Sequence, residues 1–172
     1  MNKKGFTLVE LLVVVAILGV LAAVGIVSFG GYLGSAKENA SRANQLIAFK
    51  FIQTSIMKCS MGSELIIKRS FDTNTSILRY SSNLCPLVDS KNAQELMQAF
   101  HNHFNAPAVC NPYGLKHSSG TCQEAFASGG QLGNPDRLGE TQLFGLENGK
   151  LVIQTKISND EILYDELDLN NL

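Results

Sequence analysis

The chain lacks the strong excess of basic residues that marks most nucleic-acid-binding proteins. Its 172 residues contain 14 lysines and arginines against 15 aspartates and glutamates, a formal net charge of -1. The one basic concentration in the middle of the chain consists of Lys68, Arg69 and Arg79, and we predict that it is solvated surface. Composition therefore disfavours nucleic acid as a partner without excluding it.

Short motifs of common catalytic and cofactor sites are also missing. The sequence has no G-x-S-x-G nucleophile elbow, no P-loop and no Rossmann glycine pattern. Its cysteines never occur with C-x2-C spacing, which argues against a zinc site. We therefore predict that the protein is not an enzyme and needs no cofactor or metal.

The three histidines do not form a convincing set of metal ligands. His101 and His103 lie two apart on a predicted helix, so their side chains point to different faces and are poor co-ligands. His117 lies alone in a loop between two cysteines. We predict that His101 and His103 are ordinary surface residues.

The C-terminal segment is acidic, and no basic residue follows Lys156. Its carboxylates do not have the spacing of an EF-hand loop. The favoured interpretation is a solvated edge strand whose charge discourages aggregation. The carboxylates concerned are those of Asp160, Glu161, Asp165, Glu166 and Asp168.

Residues 6–35 form a long apolar run that contains a single charge, Glu10. A helix needs about 20 apolar residues to cross the hydrocarbon of a bilayer, so this run is long enough. An ionisable group inside such a segment costs at least a few kcal/mol, and it is expected to have a function and a partner. Glu10 lies a little over one helical turn beyond Gly5. A free amino terminus created by cleavage after Gly5 would be a natural partner.

The segment Lys3-Lys4-Gly5, followed by Phe6-Thr7-Leu8-Val9-Glu10 and the apolar run, resembles the class III signal of the type IV pilins and pseudopilins. The resemblance implies that a membrane prepilin peptidase cuts between Gly5 and Phe6 and methylates the new amino group of Phe6. The apolar segment then stays in the mature protein, whereas an ordinary secretory signal is cut after its apolar region. A plain signal anchor is the alternative. It explains the two lysines but neither the glycine before Phe6 nor the glutamate.

The function implied by this resemblance is that of a structural subunit of a type IV pilus filament. The subunit would wait in the bacterial inner membrane and then move to the periplasm and cell surface. Its partners would be other pilin copies, the prepilin peptidase, an inner-membrane assembly platform and, before assembly, membrane lipid. Glu10 would pair with the ammonium group of Phe6 on a neighbouring subunit or its own, and so set register in an apolar core.

Two further function classes share this N-terminus. One is a pseudopilin of type II secretion; some of these hold calcium near the C-terminus, which keeps a calcium site in the acidic tail as an alternative. The other is a minor tip pilin whose head binds DNA or a surface. Because pseudopilins commonly lack disulfides, the four cysteines favour a pilus subunit.

The resemblance and the residue pattern together predict an α+β, pilin-like fold. One long helix, half of it transmembrane, would pack on a small antiparallel sheet. We expect a leader at residues 1–5, a transmembrane and filament-core helix at 6–35, the amphipathic half of that helix at 36–60, and a disulfide-bonded head at 61–172. Gly62 is a plausible terminator of the helix. The predicted apolar stripe of the second half comprises Ala36, Ala40, Ala43, Ile47 and Phe51, widened by Leu46, Ile52 and Ile56.

The head sequence predicts several short elements. Asn148-Gly149 suits a type I′ turn between two strands. Residues 105–140 are rich in glycine, serine and asparagine, which indicates loops. The predicted strands are residues 64–69, 76–80, 141–146, 151–157 and 162–167, and the predicted helix is residues 92–104.

The head contains four cysteines, and an even number in an exported domain argues for disulfides. Three pairings are possible. We favour Cys59–Cys85 and Cys110–Cys122, because neighbours along the chain close small loops. In the chain-entropy model the second loop would stabilise the head by about 3 kcal/mol.

Overall fold

A single helix of 53 residues, α1 (Leu8–Ser60), accounts for almost a third of the chain. The structure is a computed structural model that describes all residues except 1–4, 6, 73–76, 107–108, 117, 129–131 and 172. Lys3, Lys4, Phe6 and His117 therefore lie outside the described residues. The chain divides into two compact units, Met1–Ala36 and Lys37–Leu172. The second half of α1 belongs to the second unit.

The C-terminus of α1 is closed by a Schellman motif, as the glycine at position 62 predicts. Gly62 has a φ of +76°, which an L side chain rarely adopts. Its N–H donates to the carbonyl of Cys59 at 2.9 Å, and the N–H of Ser63 donates to the carbonyl of Lys58 at 2.9 Å. These two bonds satisfy carbonyl groups that the helix itself leaves without partners.

The face of α1 that packs in the second unit differs from the predicted apolar stripe. Ile47, a central member of that stripe, is 59% exposed. The buried residues are Ser41, Gln45, Ala48, Ile52, Ser55 and Ile56.

Hydrogen bonding explains why polar residues occupy the buried face. The Ser41 hydroxyl donates to the Lys37 carbonyl at 2.9 Å, and Gln45 Nε2 donates to a carboxylate oxygen of Asp165 at 2.7 Å. A hydrogen-bond partner lowers the cost of burying a polar group, although Gln45 Oε1 is buried without a hydrogen-bond partner among the described residues. Apolar periodicity cannot detect such partners, so it predicts Ile52 and Ile56 correctly but misses Ser41 and Gln45.

The head contains a two-stranded and a four-stranded sheet. The first is an antiparallel hairpin. The second has the order β3-β4-β5-β6 and is mixed, because β3 runs parallel to β4 while the other neighbours are antiparallel. The elements are β1 (Lys68–Asp72), β2 (Ile77–Tyr80), α2 (Cys85–Asp89), α3 (Ala93–Phe104), β3 (Phe126–Ser128), β4 (Thr141–Gly145), β5 (Lys150–Lys156), β6 (Ile162–Asp168) and a 3-10 helix (Leu169–Asn171).

These elements confirm the predicted α+β, pilin-like class and the helix at 92–104. The Asn92 side chain caps α3 by accepting from the N–H of Glu95 at 3.2 Å. The sequence did not predict α2 and β3, which are five and three residues long. Because β3 runs parallel to β4, the sheet is not purely antiparallel as predicted.

The first predicted strand, residues 64–69, is displaced toward the C-terminus, since β1 begins only at Lys68. The N–H of Leu65 donates to Asn83 Oδ1 at 3.0 Å, and the N–H of Ile67 donates to the Ser81 hydroxyl at 3.1 Å. Side chains thus take the N–H groups of this segment, while the carbonyls of Leu65 and Ile67 accept from the backbone N–H groups of Leu84 and Ser81, each at 2.9 Å. The segment is fixed in place without belonging to the ladder.

The turn between β4 and β5 is not the predicted type I′ turn. That turn requires a positive φ at both central residues. Gly149 has a φ of +80°, but the φ of Asn148 is not positive. The N–H of Gly149 donates to the Leu146 carbonyl at 3.0 Å, and the N–H of Leu146 donates to the Lys150 carbonyl at 2.8 Å. The connection is a three-residue loop with glycine in the left-handed position.

The hydrophobic core lies between the second half of α1, α3 and one face of the four-stranded sheet. Phe100 is its largest fully buried side chain, and it meets the half-buried Phe51 edge to face with ring centroids 6.1 Å apart. The main contributors are Ala48, Ile52 and Ile56 from α1, Leu96, Met97 and Phe100 from α3, and Leu143, Leu151 and Ile153 from the sheet.

Both disulfides form with the pairing that the sequence analysis favours. Cys59–Cys85 links the last turn of α1 to the start of α2, with the two Cα atoms 5.3 Å apart. Cys110–Cys122 closes a loop over a separation of 12 residues. This loop is held on the head by Tyr113, whose hydroxyl donates to the Ile157 carbonyl at 2.6 Å.

Candidate processing and assembly site

The predicted processing and assembly residues lie around the N-terminus of α1. Gly5 is exposed and lies outside regular secondary structure. Phe6, the predicted methylation site, lies outside the described residues. Glu10 is an exposed residue of the first turn of α1. The geometry of the site therefore rests on Gly5, Thr7 and Glu10.

Thr7 and Glu10 form a reciprocal capping box at the start of the helix. The backbone N–H of Thr7 donates to Glu10 Oε2 at 2.8 Å, and the Thr7 hydroxyl donates to the same oxygen at 2.7 Å. In return, the backbone N–H of Glu10 donates to the Thr7 hydroxyl oxygen at 3.3 Å. The pair satisfies N–H groups that begin a helix without a partner.

Sequence reasoning assigned a role to Glu10 and missed Thr7. The signal was present, because Thr7-Leu8-Val9-Glu10 has the T-x-x-E spacing of a capping box, followed by an apolar run. Among the hydrogen bonds between described residues, both that reach the Glu10 carboxylate end on Oε2. Its second oxygen, Oε1, accepts no side-chain or backbone hydrogen bond from another described residue.

Beyond Glu10 the helix presents apolar side chains on every side. The large apolar residues from Leu8 to Leu33 are between 46% and 79% exposed. By length and composition, α1 is the one helix in the described part of the chain that could cross a membrane, with a mean hydropathy of 3.0 over its most apolar window. The first unit thus supplies apolar surface that the chain itself does not cover.

The histidines of α3 are not the surface residues that the sequence analysis predicts. The His103 ring stacks on Phe51 with centroids 4.4 Å apart, and its Nδ1 accepts from the N–H of Lys68 at 3.0 Å. Burial, reinforced by the Lys68 charge, lowers the pKa of His103 from its ordinary value to about 4. A neutral His103 thus links α3 to the first residue of β1 through this hydrogen bond.

His101 has different partners, so the two rings do not converge. His101 Nε2 lies 3.0 Å from Asn105 Nδ2. Burial is the largest influence on the pKa of His101 and lowers it. In the described residues, no group of three or more histidine, cysteine, aspartate or glutamate side chains is placed to hold a metal ion.

Carboxylates of the acidic tail are engaged with neighbouring side chains of the second unit. Glu161 pairs with Arg42 of α1. Glu166 pairs with Lys150 at 2.6 Å and also accepts from the Tyr164 hydroxyl at 3.1 Å. The tail forms β6, an edge strand of the four-stranded sheet, as its composition predicts.

Comparison with known proteins identifies the N-terminal segment. Residues 1–26 match the family model described as the prokaryotic N-terminal methylation motif. No solved structure matches the chain. The matched segment contains Gly5, Thr7 and Glu10, which are the residues that define the capped start of α1. The chain therefore carries the prokaryotic N-terminal methylation motif, which is the class III signal of type IV pilins and pseudopilins.

Proposed function

We propose that this protein is a structural subunit of a type IV pilus filament and has no catalytic role. The observation that carries the proposal is the methylation motif at residues 1–26, which continues into a helix with uncovered apolar side chains. A soluble monomer rarely leaves so much contiguous apolar surface uncovered. Lipid can cover the helix before assembly, and the helices of other subunits can cover it afterwards.

Maturation in this proposal is a cut between Gly5 and Phe6, followed by methylation of the Phe6 amino group. Gly5 is exposed and outside the helix, which suits access by a peptidase. The lysines at positions 3 and 4 would stay on the cytoplasmic side, and the head would lie on the opposite side. The assembled subunit would then belong to a filament on the cell surface.

Glu10 is the proposed assembly residue. Thr7 already occupies one carboxylate oxygen, and no other described residue donates to the second one. In a low-dielectric filament core an unpaired carboxylate is costly, whereas one that meets an ammonium group is not. Pairing with the Phe6 ammonium of a neighbouring subunit, or its own, would therefore favour one register between helices.

The alternative candidate is a pseudopilin of a type II secretion system. It would share every N-terminal feature, so only the head separates the two. The disulfides Cys59–Cys85 and Cys110–Cys122 favour the pilus subunit, because pseudopilins commonly lack them. A head whose thermal stability rises on addition of calcium would favour the pseudopilin instead.

The first test is intact-mass spectrometry of the chain co-expressed with a prepilin peptidase. We expect a species that begins at Phe6 and is one methyl group heavier than the unmodified fragment. The matched control is Gly5→Val, which should remain uncut. If the native chain remained uncut, the protein would be a plain membrane-anchored domain and the proposal would be overturned.

The second test addresses the role of Glu10 in assembly. We expect Glu10→Leu to be processed normally but to yield few filaments, because the carboxylate that sets register is gone. Glu10→Gln is the control, since its amide oxygen can still cap the helix while the charge is removed. If Glu10→Leu matched the native filament yield, the electrostatic role of Glu10 would be wrong.

A further inference from the structure

The β1–β2 hairpin is attached to the rest of the head mainly through β1. This strand packs on α3, and β2 pairs with β1 as the second strand of a separate two-stranded sheet. Three of the four residues of β2, Ile77, Arg79 and Tyr80, are exposed. A two-stranded hairpin is only marginally stable by itself in water. The order of this hairpin therefore depends on the contact between β1 and α3.

The hydrogen bond that joins β1 to α3 requires an unprotonated histidine nitrogen. The backbone N–H of Lys68, the first residue of β1, donates to His103 Nδ1 at 3.0 Å. In a protonated histidine both ring nitrogens are donors and neither can accept. Protonation of His103 would therefore place two donors, its own Nδ1–H and the N–H of Lys68, against each other. The bond exists only while the ring is neutral.

The elements packed around His103 oppose a positive charge on its ring. Burial, and after it the positive charge of Lys68 on β1, lower the pKa of His103 to about 4. α1 presents the ring of Phe51, stacked at 4.4 Å between centroids, and the charged residue beside it, Lys50, is exposed and also positive. On α3 itself, His101 is directed toward Asn105. No carboxylate of the described residues contributes to the shifted pKa of His103.

The base of the hairpin is closed by hydrogen bonds that do not involve α3. The N–H of Leu84 donates to the Leu65 carbonyl at 2.9 Å. Asn83 Oδ1 accepts from the N–H of Leu65 at 3.0 Å and from the N–H of Cys85 at 3.1 Å. Leu65 and Leu84 are buried, and Cys85 is bonded to Cys59 of α1. Both ends of the hairpin thus stay fixed if β1 separates from α3.

We propose that the β1–β2 hairpin is a flap that acid releases from the head. When His103 gains a proton, its bond to Lys68 is lost and β1 leaves α3, while the base of the hairpin stays closed and the four-stranded sheet stays folded. A cavity of about 250 Å³ lies between the base of the hairpin, α2 and α3, and its lining includes the apolar side chains of Ile67 and Ala99. Release of the flap would widen this cavity toward solvent.

The pH range of the release follows from the two states of His103. In the closed flap its pKa is about 4, whereas in the released flap it returns toward the ordinary value near 6.5. The open state therefore binds the proton more readily, and its population rises as the pH falls from about 6.5 to 4. Between pH 7 and pH 4.5 we expect the open population to rise by roughly tenfold to fiftyfold, the lower figure allowing for partial exposure of the ring.

Amide hydrogen exchange of the full chain in detergent micelles tests the flap. Protection factors, corrected for the intrinsic pH dependence of exchange, are compared at pH 7 and pH 4.5 for the amides of β1 and β2, with the amides of β5 as the internal reference. We expect the protection of the hairpin amides to fall by roughly tenfold or more, and that of the β5 amides to fall much less. Unchanged protection in the hairpin, or an equal loss in β5, would overturn the proposal.

Two substitutions on the same helix separate the flap from general acid destabilisation. His103→Gln offers an amide oxygen to the N–H of Lys68 and gains no proton, so the protection of the hairpin should no longer depend on pH. His101→Gln is the matched control, because His101 contacts Asn105 and not β1, and it should keep the native response. An acid response that survives His103→Gln, or one that disappears in His101→Gln, would contradict the role of His103.

A third variant keeps the test decisive if His103→Gln does not fold. His103→Lys carries a positive charge and no acceptor, so it should release the hairpin already at pH 7 and lower the protection of its amides to the level of the native chain at pH 4.5. The β5 amides should remain protected. Native-like protection of the hairpin in His103→Lys at pH 7 would overturn the proposal. None of these measurements depends on processing or on filament formation, so the flap stands or falls separately from the proposed function.

Discussion

The two units of this chain use similar apolar residues in opposite ways. In the first unit, leucine, valine and isoleucine side chains are about half to four-fifths exposed, and none is buried among the described residues. In the second unit, residues of the same types form a core in which Ile52, Leu96 and Leu151 are fully buried. The free energy of burying apolar surface is thus gained within the head but not within residues 8–36.

This difference separates the determinants of folding from those of assembly. The head can be stabilised by its own contacts, whereas in the proposed function the first unit depends on lipid or on other chains to cover its surface. A substitution in the head should change the free energy of unfolding. A substitution in the first unit should change processing, insertion or assembly while leaving the head intact.

The largest expected effect comes from truncating one buried side chain in the core of the head. Ile52→Ala should lower the free energy of unfolding by about 2–5 kcal/mol, because it removes fully buried methyl groups and leaves a cavity. Ile17→Ala is the matched control, since Ile17 is 55% exposed. Thermal unfolding of the full chain in detergent, followed by the near-ultraviolet signal of its tyrosines, measures both. Equal losses would mean that the two units are not energetically separate.

Two glycines sharpen the same comparison. A methyl group on Gly145 would overlap the carbonyl group of Ala93 at the start of α3, whereas one on Gly19 has no neighbour within 4 Å. Gly145→Ala should destabilise the head by about 1–3 kcal/mol through overpacking. Gly19→Ala should leave head unfolding unchanged and favour the helix by up to about 1 kcal/mol. Denaturant titration of both variants checks this, and an unaffected Gly145→Ala would contradict the close packing of β4 on α3.

The third prediction concerns the pH dependence of the head. His103 is unprotonated when it accepts from the N–H of Lys68, and its pKa is lowered to about 4. The unfolded chain binds a proton below its ordinary pKa near 6.5, so this stabilisation is complete above that pH and is lost as the pH falls from about 6.5 to 4. We expect a loss of about 1–2 kcal/mol, after allowance for the partial exposure of the ring.

The measurement for His103 is the free energy of unfolding at neutral pH and near pH 4.5. Carboxylates also titrate in this range, so the comparison is made with His103→Gln, whose amide oxygen can accept from Lys68 without binding a proton. The variant should show a smaller loss than the native chain. Identical losses would mean that His103 does not contribute to the pH dependence.

The smallest effect is expected at the start of α1. Thr7→Val removes the hydroxyl that bonds to Glu10 and should increase the amide exchange rates of the first helical turn severalfold, while Thr7→Ser should behave like the native chain. Hydrogen exchange by nuclear magnetic resonance in micelles measures this. Head stability should not change. Native-like exchange in Thr7→Val would show that the capping box does not hold the end of the helix.

Much of the first unit and of the candidate site could be predicted because the signals are local. An apolar run with a single charge and a glycine before Phe6 can be recognised from consecutive residues, and the T-x-x-E capping spacing was equally readable. The Schellman end of α1 at Gly62 was predictable for the same reason, since only a residue tolerant of positive φ fits there. The predicted cleavage and methylation at Gly5 and Phe6 stay predictions.

The head was less predictable because its decisive contacts join residues distant in sequence. The buried face of α1 was predicted only in part: Ile52 and Ile56 are buried as expected, but Gln45 was missed because Nε2 of this side chain donates to Asp165, which lies 120 residues away. His103 was predicted as a surface residue because its partners, Phe51 and Lys68, belong to other elements. The start of β1 was misplaced because Asn83 and Ser81 take the hydrogen bonds of the preceding segment.

The sequence by itself determined that this chain has one long apolar helix with an isolated carboxylate near its start, followed by a cysteine-bonded α+β head. Such features depend on side-chain chemistry and spacing along the chain, which require no fold to be read. Only the tertiary structure decided which face of α1 is buried, that β3 runs parallel to β4, and that the His103 ring stacks on Phe51. Those outcomes depend on which distant groups satisfy one another's hydrogen bonds and charges, and no local pattern encodes that choice.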